Sequence, residues 1–273
     1  MGVDLREIVN PRKLKLEELS DRVIAIDAYN ALYQFLAIIR GESGEYLTDK
    51  NGIITSQLSG LFYRNLNLLS IGANPIYVFD GKPPALKLAE IARRQAVKKE
   101  AVIRYRTALS EGRVKEAKKY AQATSTLKDY MVDDSKRLLN LLGIPWIDAP
   151  SEGEATAAYL TTIGAATDEA SQDYDSLLFG SKRLLRNVTV SGKRKLPGRP
   201  VFVNVEPEEV RLDQLLQNLG ITREQLVDIG ILLGTDFNPN GFKGIGPARA
   251  LKFIKTHDKI EEIPQIHEEL ERI

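Results

Sequence analysis

Two short apolar runs constrain this chain more than any other feature: Val23 to Ile26 ends on Asp27, and Pro75 to Phe79 ends on Asp80. Nearly continuous apolar runs of this length are what strands look like when both faces are covered, as in a parallel sheet packed between helices. Gly143 to Ile147 and Leu177 to Phe179 are further strand candidates. Helical patterns at Ala28 to Ile39, Ser56 to Leu69, Ser135 to Leu142 and Glu154 to Thr162 alternate with them. The expectation is an α/β fold with a mostly parallel central sheet flanked by helices, whose sites lie beyond the carboxyl ends of the strands. Asp27 and Asp80 stand at that edge.

Five more carboxylates occupy comparable places: Glu152 and Glu154 in PSEGEA, Asp173 and Asp175 in SQDYDS, and Asp236 in LLGTDF. No pair of histidines or cysteines lies near them, and an all-oxygen donor set suits a hard cation such as Mg²⁺ better than Zn²⁺. Two such ions, roughly 3.5 to 4 Å apart, are the usual arrangement for phosphodiester chemistry. Each acid also has a structural reading. Asp27 and Asp80 could cap a helix or open a turn, and Ser151 with Glu154 has capping-box spacing, which leaves Glu152 unexplained. Asp173 and Asp175 would share one side of an extended segment, at a cost unless a cation separates them.

At 273 residues, 43% of them hydrophobic and 27% charged, the chain can bury a full core and is long enough for one large domain or two small ones. No run approaches the roughly 18 apolar residues of a membrane span, and the start lacks a signal-peptide core. Neither membrane nor oligomeric partner is expected. The absence of cysteine excludes disulfides, thiol catalysis and thiolate metal sites. Gly2 is not a myristoylation signal, because Arg6 stands where Ser or Thr is required.

The formal net charge of +1 hides a strong asymmetry. Lys87 to Lys128 holds twelve Lys and Arg against four Glu, so the remainder of the chain is acidic. A basic helical segment beside an acidic pocket can hold phosphates while the acids hold metal. Lys182 to Arg199 contains seven basic residues and no acid, and reads as a basic loop or hairpin. Near the end, a helix over Thr222 to Leu233 is broken at Gly234 and by the Asn238 to Gly241 turn, and GIGPARA opens another. Gly244 and Gly246, flanked by Lys243 and Arg249, leave N–H groups free at a helix start, a helix-hairpin-helix signature for gripping phosphate backbone without reading bases.

VIAIDAYNALYQFL, TSQLSGLFYRNLNLL, PIYVFDGKPPALK, APSEGEATAAYL, SQDYDSLLFG, GKRKLPG and LLGTDFNPNGFKGIGPARA together resemble the flap endonuclease family of archaeal and eukaryotic structure-specific 5′ nucleases. The resemblance runs from Met1 to about Thr256. It implies a PIN-like 5′ nuclease core in a single domain, with an N-terminal region of about 1–98, a helical arch inserted at about 82–130, an internal region of about 131–256 and a hairpin at 234–250. The activity implied is two-metal hydrolysis of DNA at branched junctions carrying a 5′ flap, with associated 5′-3′ exonuclease activity, in DNA replication and repair. By the same resemblance Asp27, Asp80, Glu152 and Glu154 form one metal site and Asp173, Asp175 and Asp236 a second, for Mg²⁺ with Mn²⁺ as a substitute. Lys87 and Arg94 match the family's catalytic basic pair. Tyr33 matches the aromatic on which a base stacks, Arg40 and Thr55 match the pocket for a one-nucleotide 3′ flap, and the Gly241 to Gly246 loop matches a site for K⁺.

The resemblance leaves two departures. Family members usually continue into a tail ending in a sliding-clamp motif, whereas this sequence stops at HEELERI, so the clamp expected as a partner has no motif here. Asp168 and Glu169 stand where a strand should be apolar. Two other classes stay open: a junction-binding DNA scaffold that does not cut, which need not keep seven acids, and a PIN-like ribonuclease, which needs neither arch nor hairpin. The expected location is intracellular, cytoplasmic at the nucleoid if archaeal and nuclear if eukaryotic.

Overall fold

The computed structural model describes residues 2–189, 192–195, 202–239 and 241–266. In chain order its elements are β1 (Arg12–Lys13), β2 (Val23–Asp27), α1 (Ala28–Ile38), α2 (Ser56–Ser70), β3 (Asn74–Phe79), α3 (Leu88–Ser110), α4 (Val114–Gln122), α5 (Asp129–Leu141), β4 (Trp146–Asp148), α6 (Gly153–Ile163), β5 (Asp168–Ala170) and α7 (Asp175–Leu178). They continue with β6 (Arg183–Arg186), β7 (Gly192–Lys195), β8 (Phe202–Val205), β9 (Glu208–Arg211), α8 (Leu212–Leu219), α9 (Arg223–Leu233) and α10 (Pro247–His257). Among the described residues, no helix is long and apolar enough to cross a membrane.

Seven strands form one sheet in the order β1-β9-β6-β5-β2-β3-β4. Strands β2 to β6 run parallel to their neighbours in that group, while β9 pairs antiparallel with β6 and β1 antiparallel with β9. The chain steps outward from β2 through β3 to β4, then returns to the opposite side of β2 for β5 and β6. That reversal opens a crevice at the carboxyl ends of β2 and β5, where open α/β sheets bind their ligands. Ile24, Ile26, Tyr77 and Phe79 are buried with Leu32, Phe35 and Leu61 of α1 and α2, so both apolar runs are covered as their composition requires.

Between β3 and α5, helices α3 and α4 stand as an antiparallel pair. The buried residues of α3 are Glu90, Ala101 and Ala108, and those of α4 are Ala117 and Ala121. Small residues at the contact let the two backbones approach, while most of the Lys and Arg side chains face outward. At the other end of the chain, Thr222 caps α9 and Gln225 returns the bond at 2.9 Å. A Cβ on Gly234 would lie 2.7 Å from the Gly241 nitrogen, so the turn between α9 and α10 closes by backbone contact that only glycine permits.

Three expectations from the sequence are corrected. Leu177 to Phe179 is not a strand: Leu177 and Leu178 belong to α7, and Leu177 is buried in the core beside Tyr174. An apolar triplet carries no periodicity, so packing decides its form. Gly143 to Ile147 contributes only the short β4. Lys182 to Arg186 is not loop, since β6 lies in the central sheet and Arg186 pairs with Glu208 and donates to the Tyr174 hydroxyl. Farther along, β7 and β8 do pair as an antiparallel ribbon. Residues 190–191 and 196–199 of the basic run, which include Leu196 to Gly198 of GKRKLPG, lie outside the described residues, as does HEELERI.

The strand whose entry is acidic where the sequence led one to expect apolar residues is β5, whose first two residues are Asp168 and Glu169. Asp168 is fully buried and tolerated because Arg22, the residue before β2, reaches it at 3.0 Å and Glu209 at 2.9 Å, with the Thr167 hydroxyl donating to Asp168 at 2.6 Å. Burial pushes the Glu169 carboxyl up to about 8. Arg22→Ala should therefore leave Asp168 an uncompensated buried charge and Glu209 with only the exposed Arg12 as partner, and cost about 3 to 5 kcal/mol in urea unfolding. Arg22→Met with Asp168→Leu should recover much of that loss; a single mutant as stable as the parent would show the ion pairs to be dispensable.

Candidate functional site

Six of the seven acids reach the crevice from the carboxyl ends of four neighbouring strands. Asp27 is the last residue of β2 and accepts from the Asn30 N–H at 2.9 Å, so it caps α1 while facing the crevice. Asp80 follows β3 and accepts from the Gly153 N–H at 2.6 Å, which ties it to the first turn of α6. Glu152 precedes α6 and Glu154 lies in its first turn. The Ser151–Glu154 capping box does not form. Glu154 instead accepts from the Ser176 hydroxyl at 2.7 Å and the Ser171 hydroxyl at 3.2 Å, turned toward the loop after β5.

That loop is not extended as the sequence suggested. Asp173 lies in a turn and Asp175 opens α7. Asp173 accepts from the Asn30 side-chain amide at 3.2 Å and the Gly2 nitrogen at 3.3 Å, and Asp175 accepts from the Val3 N–H at 2.5 Å. Asp236 arrives separately, two residues beyond the glycine that ends α9.

The crowding has an electrostatic signature. Burial, with the Asp80 charge next, pushes the Asp27 carboxyl up to about 8. Burial pushes Asp175 to about 6, with Asp173 and Asp236 adding repulsion and the Val3 N–H opposing it. Glu154 is raised by burial and by Asp175, Glu169 and Asp27. Among the described residues no three ligand side chains already converge on one ion-sized point. Basic side chains lie between them instead: Lys87 Nζ is 2.6 Å from Glu152 and 3.3 Å from Asp236, and Arg94 pairs with Asp236 and with Glu90. Anionic oxygens held together against repulsion, without nitrogen or sulfur donors among them, fit hard divalent cations.

Lys87 and Arg94, on the short turn before α3 and on α3 itself, are thus the two cations brought into the acidic group. Tyr33 on α1 lies close by, with Lys98 of α3 at 4.3 Å over its ring. Arg40 is placed differently. Its guanidinium donates to the Leu36 and Gly44 carbonyls at 2.8 and 2.9 Å and to the Ser125 hydroxyl at 3.1 Å, and it stacks 4.0 Å over Tyr46. These bonds tie the loop after α1 to the end of α4. Thr55 lines an open groove between α2 and α5 with Ile53, Phe62 and Leu141, away from the acids.

The hairpin lies apart from the crevice. Lys243, Gly244, Gly246 and Arg249 are exposed, and a Cβ on either glycine would meet nothing within 4 Å. Gly244 has φ +79, whereas Gly246 is extended at φ −99 and precedes Pro247 at the start of α10. Arg249 donates to the Gly244 carbonyl at 3.1 Å.

Sequence reasoning missed several supporting residues. Glu90 is buried and binds both Arg93 and Arg94, holding the latter near Asp236; its i,i+4 spacing to Arg94 was the available signal. Asn30, Ser171 and Ser176 orient acids, and Gly2 and Val3 do so through backbone N–H groups, for which no side-chain pattern exists.

Comparison with known proteins follows the same lines. The family model described as XPG N-terminal domain matches residues 1–101 and the XPG I-region matches 143–236. Flap endonuclease 1 of Nitrosopumilus maritimus is 57% identical over 273 residues, covering 100% of this chain and 80% of that protein. The solved flap endonuclease-1 from Methanococcus jannaschii superposes with a TM-score of 0.74 at 38% identity, covering 100% of this chain and 84% of that one. The catalytic core of Rad2 in complex with a DNA substrate gives 0.66 at 26% identity, over 98% and 73%.

Proposed function

Since this chain belongs to the flap endonuclease family, a family of metal-dependent nucleases that hydrolyse DNA phosphodiesters, we propose that its seven crevice acids hold two Mg²⁺ ions and that Lys87 and Arg94 draw the scissile phosphate onto them. The supporting observation is that Lys87 reaches both Glu152 and Asp236, and Arg94 reaches Asp236, so the two cations meet acids from a strand end and from the remote loop. The first ion falls to Asp27, Asp80, Glu152 and Glu154, the second to Asp173, Asp175 and Asp236. When bound, the ions acidify a water and offset charge on the reacting phosphate.

The chain's own residues supply the rest. Lys87 and Arg94, which pair with Glu152 and Asp236, would be free to turn to phosphate oxygens if those acids held ions, so their positive charge would sit where negative charge develops. Glu90 holds Arg94 in reach of that position. Helices α3 and α4 form the arch that a single-stranded 5′ flap passes, and their outward Lys and Arg contact its backbone irrespective of sequence. Tyr33 stacks a base near the cut once Lys98 moves from its ring. The product carries a 5′ phosphate. Mn²⁺ substitutes for Mg²⁺, and the Gly241 to Gly246 backbone takes K⁺ while α10 presents its N–H groups to duplex phosphates. A monomer acting on branched DNA within the cell is the state in which these parts suffice.

Cleavage of labelled 5′-flap DNA with Mg²⁺, beside the same strand unbranched and beside RNA, tests the proposal. Cutting confined to the branched DNA is expected; binding without cutting, or preference for RNA, would replace it with a scaffold or a ribonuclease.

The hairpin makes a separate prediction. Lys243→Ala should lower the slope of log affinity against log salt by about one, because one phosphate contact is lost. Gly246→Val adds bulk where the backbone is already extended, so it should weaken duplex binding without straining the turn. Both losses should be equal for flaps of different sequence, and an effect confined to one sequence would contradict backbone contact.

A further inference from the structure

We propose that the Gly2–Val3 backbone is a positioning element of the metal site, setting the orientation of Asp173 and Asp175 through two successive N–H groups. The proposal rests on the reading of those acids as metal ligands. The Gly2 nitrogen lies 3.3 Å from one Asp173 oxygen and the Val3 N–H lies 2.5 Å from one Asp175 oxygen. The contact joins residues more than 170 positions apart, across the whole of the sheet's assembly.

Three features make it a built contact. First, the segment is anchored: Val3, Leu5 and Val9 are all buried, packed in one core with Tyr174 and Leu177 from either side of Asp175. Second, the approach leaves room for nothing but hydrogen at residue 2, since a Cβ there would lie 2.8 Å from both the Asp173 Cβ and an Asp175 oxygen. Third, the carboxylates need it. The terminal torsion of an aspartate is broad, so a single donor decides which oxygen faces the crevice, and two like charges at i,i+2 repel unless N–H dipoles or cations lie between them. Asn30 takes the second oxygen of Asp173, which completes the fixing of that side chain. Hydrogen-bond partners of ligating groups commonly carry tenfold or more in metal affinity.

Mn²⁺ binding followed by electron paramagnetic resonance on the full chain without DNA gives the test. Wild type should bind and Asp175→Ala should lose an ion; an Asp175→Ala variant that binds as wild type would remove the underlying metal reading. Given that loss, Gly2→Ala should weaken Mn²⁺ binding about tenfold with an unchanged melting transition. Arg6→Ala, which disturbs only an exposed pair with Asp4 in the same segment, should leave binding as in wild type. Unchanged affinity in Gly2→Ala, or an equal loss in Arg6→Ala, would overturn the proposal. Hydrogen exchange supplies an arm independent of Gly2 variants: the Val3 amide should be protected in wild type and exchange at least about tenfold faster in Asp175→Ala, as one lost hydrogen bond requires. Equal exchange in the two proteins would also overturn it.

Discussion

Asp175→Ala should abolish cleavage of 5′-flap DNA while leaving its binding within about tenfold of wild type, because the proposed metal site would lose a ligand together with a negative charge that opposes phosphate. Asp27→Ala should give the same loss of chemistry, with a second effect. Asp27 also caps α1 through the Asn30 N–H, and removing such a cap costs about 1 kcal/mol. Asp27→Asn separates the two roles, since asparagine caps a helix as well as aspartate does but binds a hard cation far more weakly. It should therefore melt like wild type and still fail to cut. Single-turnover cleavage, flap affinity in Ca²⁺ and thermal melting decide the matter; retained cutting in any of the three variants would take that residue out of the metal site.

Lys87→Ala and Arg94→Ala should lower the single-turnover rate by about 10² or more, the scale of one lost donor to developing charge, with little change in flap affinity. The structure adds a criterion that rate alone does not supply. Both side chains already bind the acids, Lys87 to Glu152 and Asp236 and Arg94 to Asp236. Removing either takes away an internal competitor for those carboxylates, so Mn²⁺ affinity should hold or rise as cleavage falls. A drop in affinity for flap with an intact rate would make the pair phosphate anchors only. A drop in Mn²⁺ affinity would make them struts of the acidic group.

Much of the site was legible in the chain because its chemistry is written in side-chain type and strand-end position. Asp27 and Asp80 close apolar runs, and the parallel sheet brings those ends to one edge. The reading of Asp27 as a helix cap holds through the Asn30 N–H, and it is compatible with the proposed metal role. For Glu154 the cap reading fails, because its carboxylate is claimed by Ser171 and Ser176 from another loop. Arg40 shows the opposite case. The resemblance assigns it to a DNA pocket, and its donors are engaged by the Leu36 and Gly44 carbonyls and Ser125, contacts that no local pattern announces.

By itself, then, the sequence determined the covered parallel strands, the all-oxygen character of the crevice, the basic insertion between β3 and α5 and the break that makes the hairpin, since each depends on composition, periodicity or turn chemistry over a few neighbouring residues. Only the tertiary structure decided the rest. It made a strand of Asp168 and Glu169 because Arg22, 146 positions earlier, offsets the buried Asp168 charge, and it made a helix of the Leu177 triplet because the core wanted its side chain. It set Lys87 and Arg94 among the acids, and it placed the Gly2 and Val3 amides against Asp173 and Asp175. Contacts of that kind depend on where distant backbones come to lie, and a backbone N–H has no letter in the sequence to mark it.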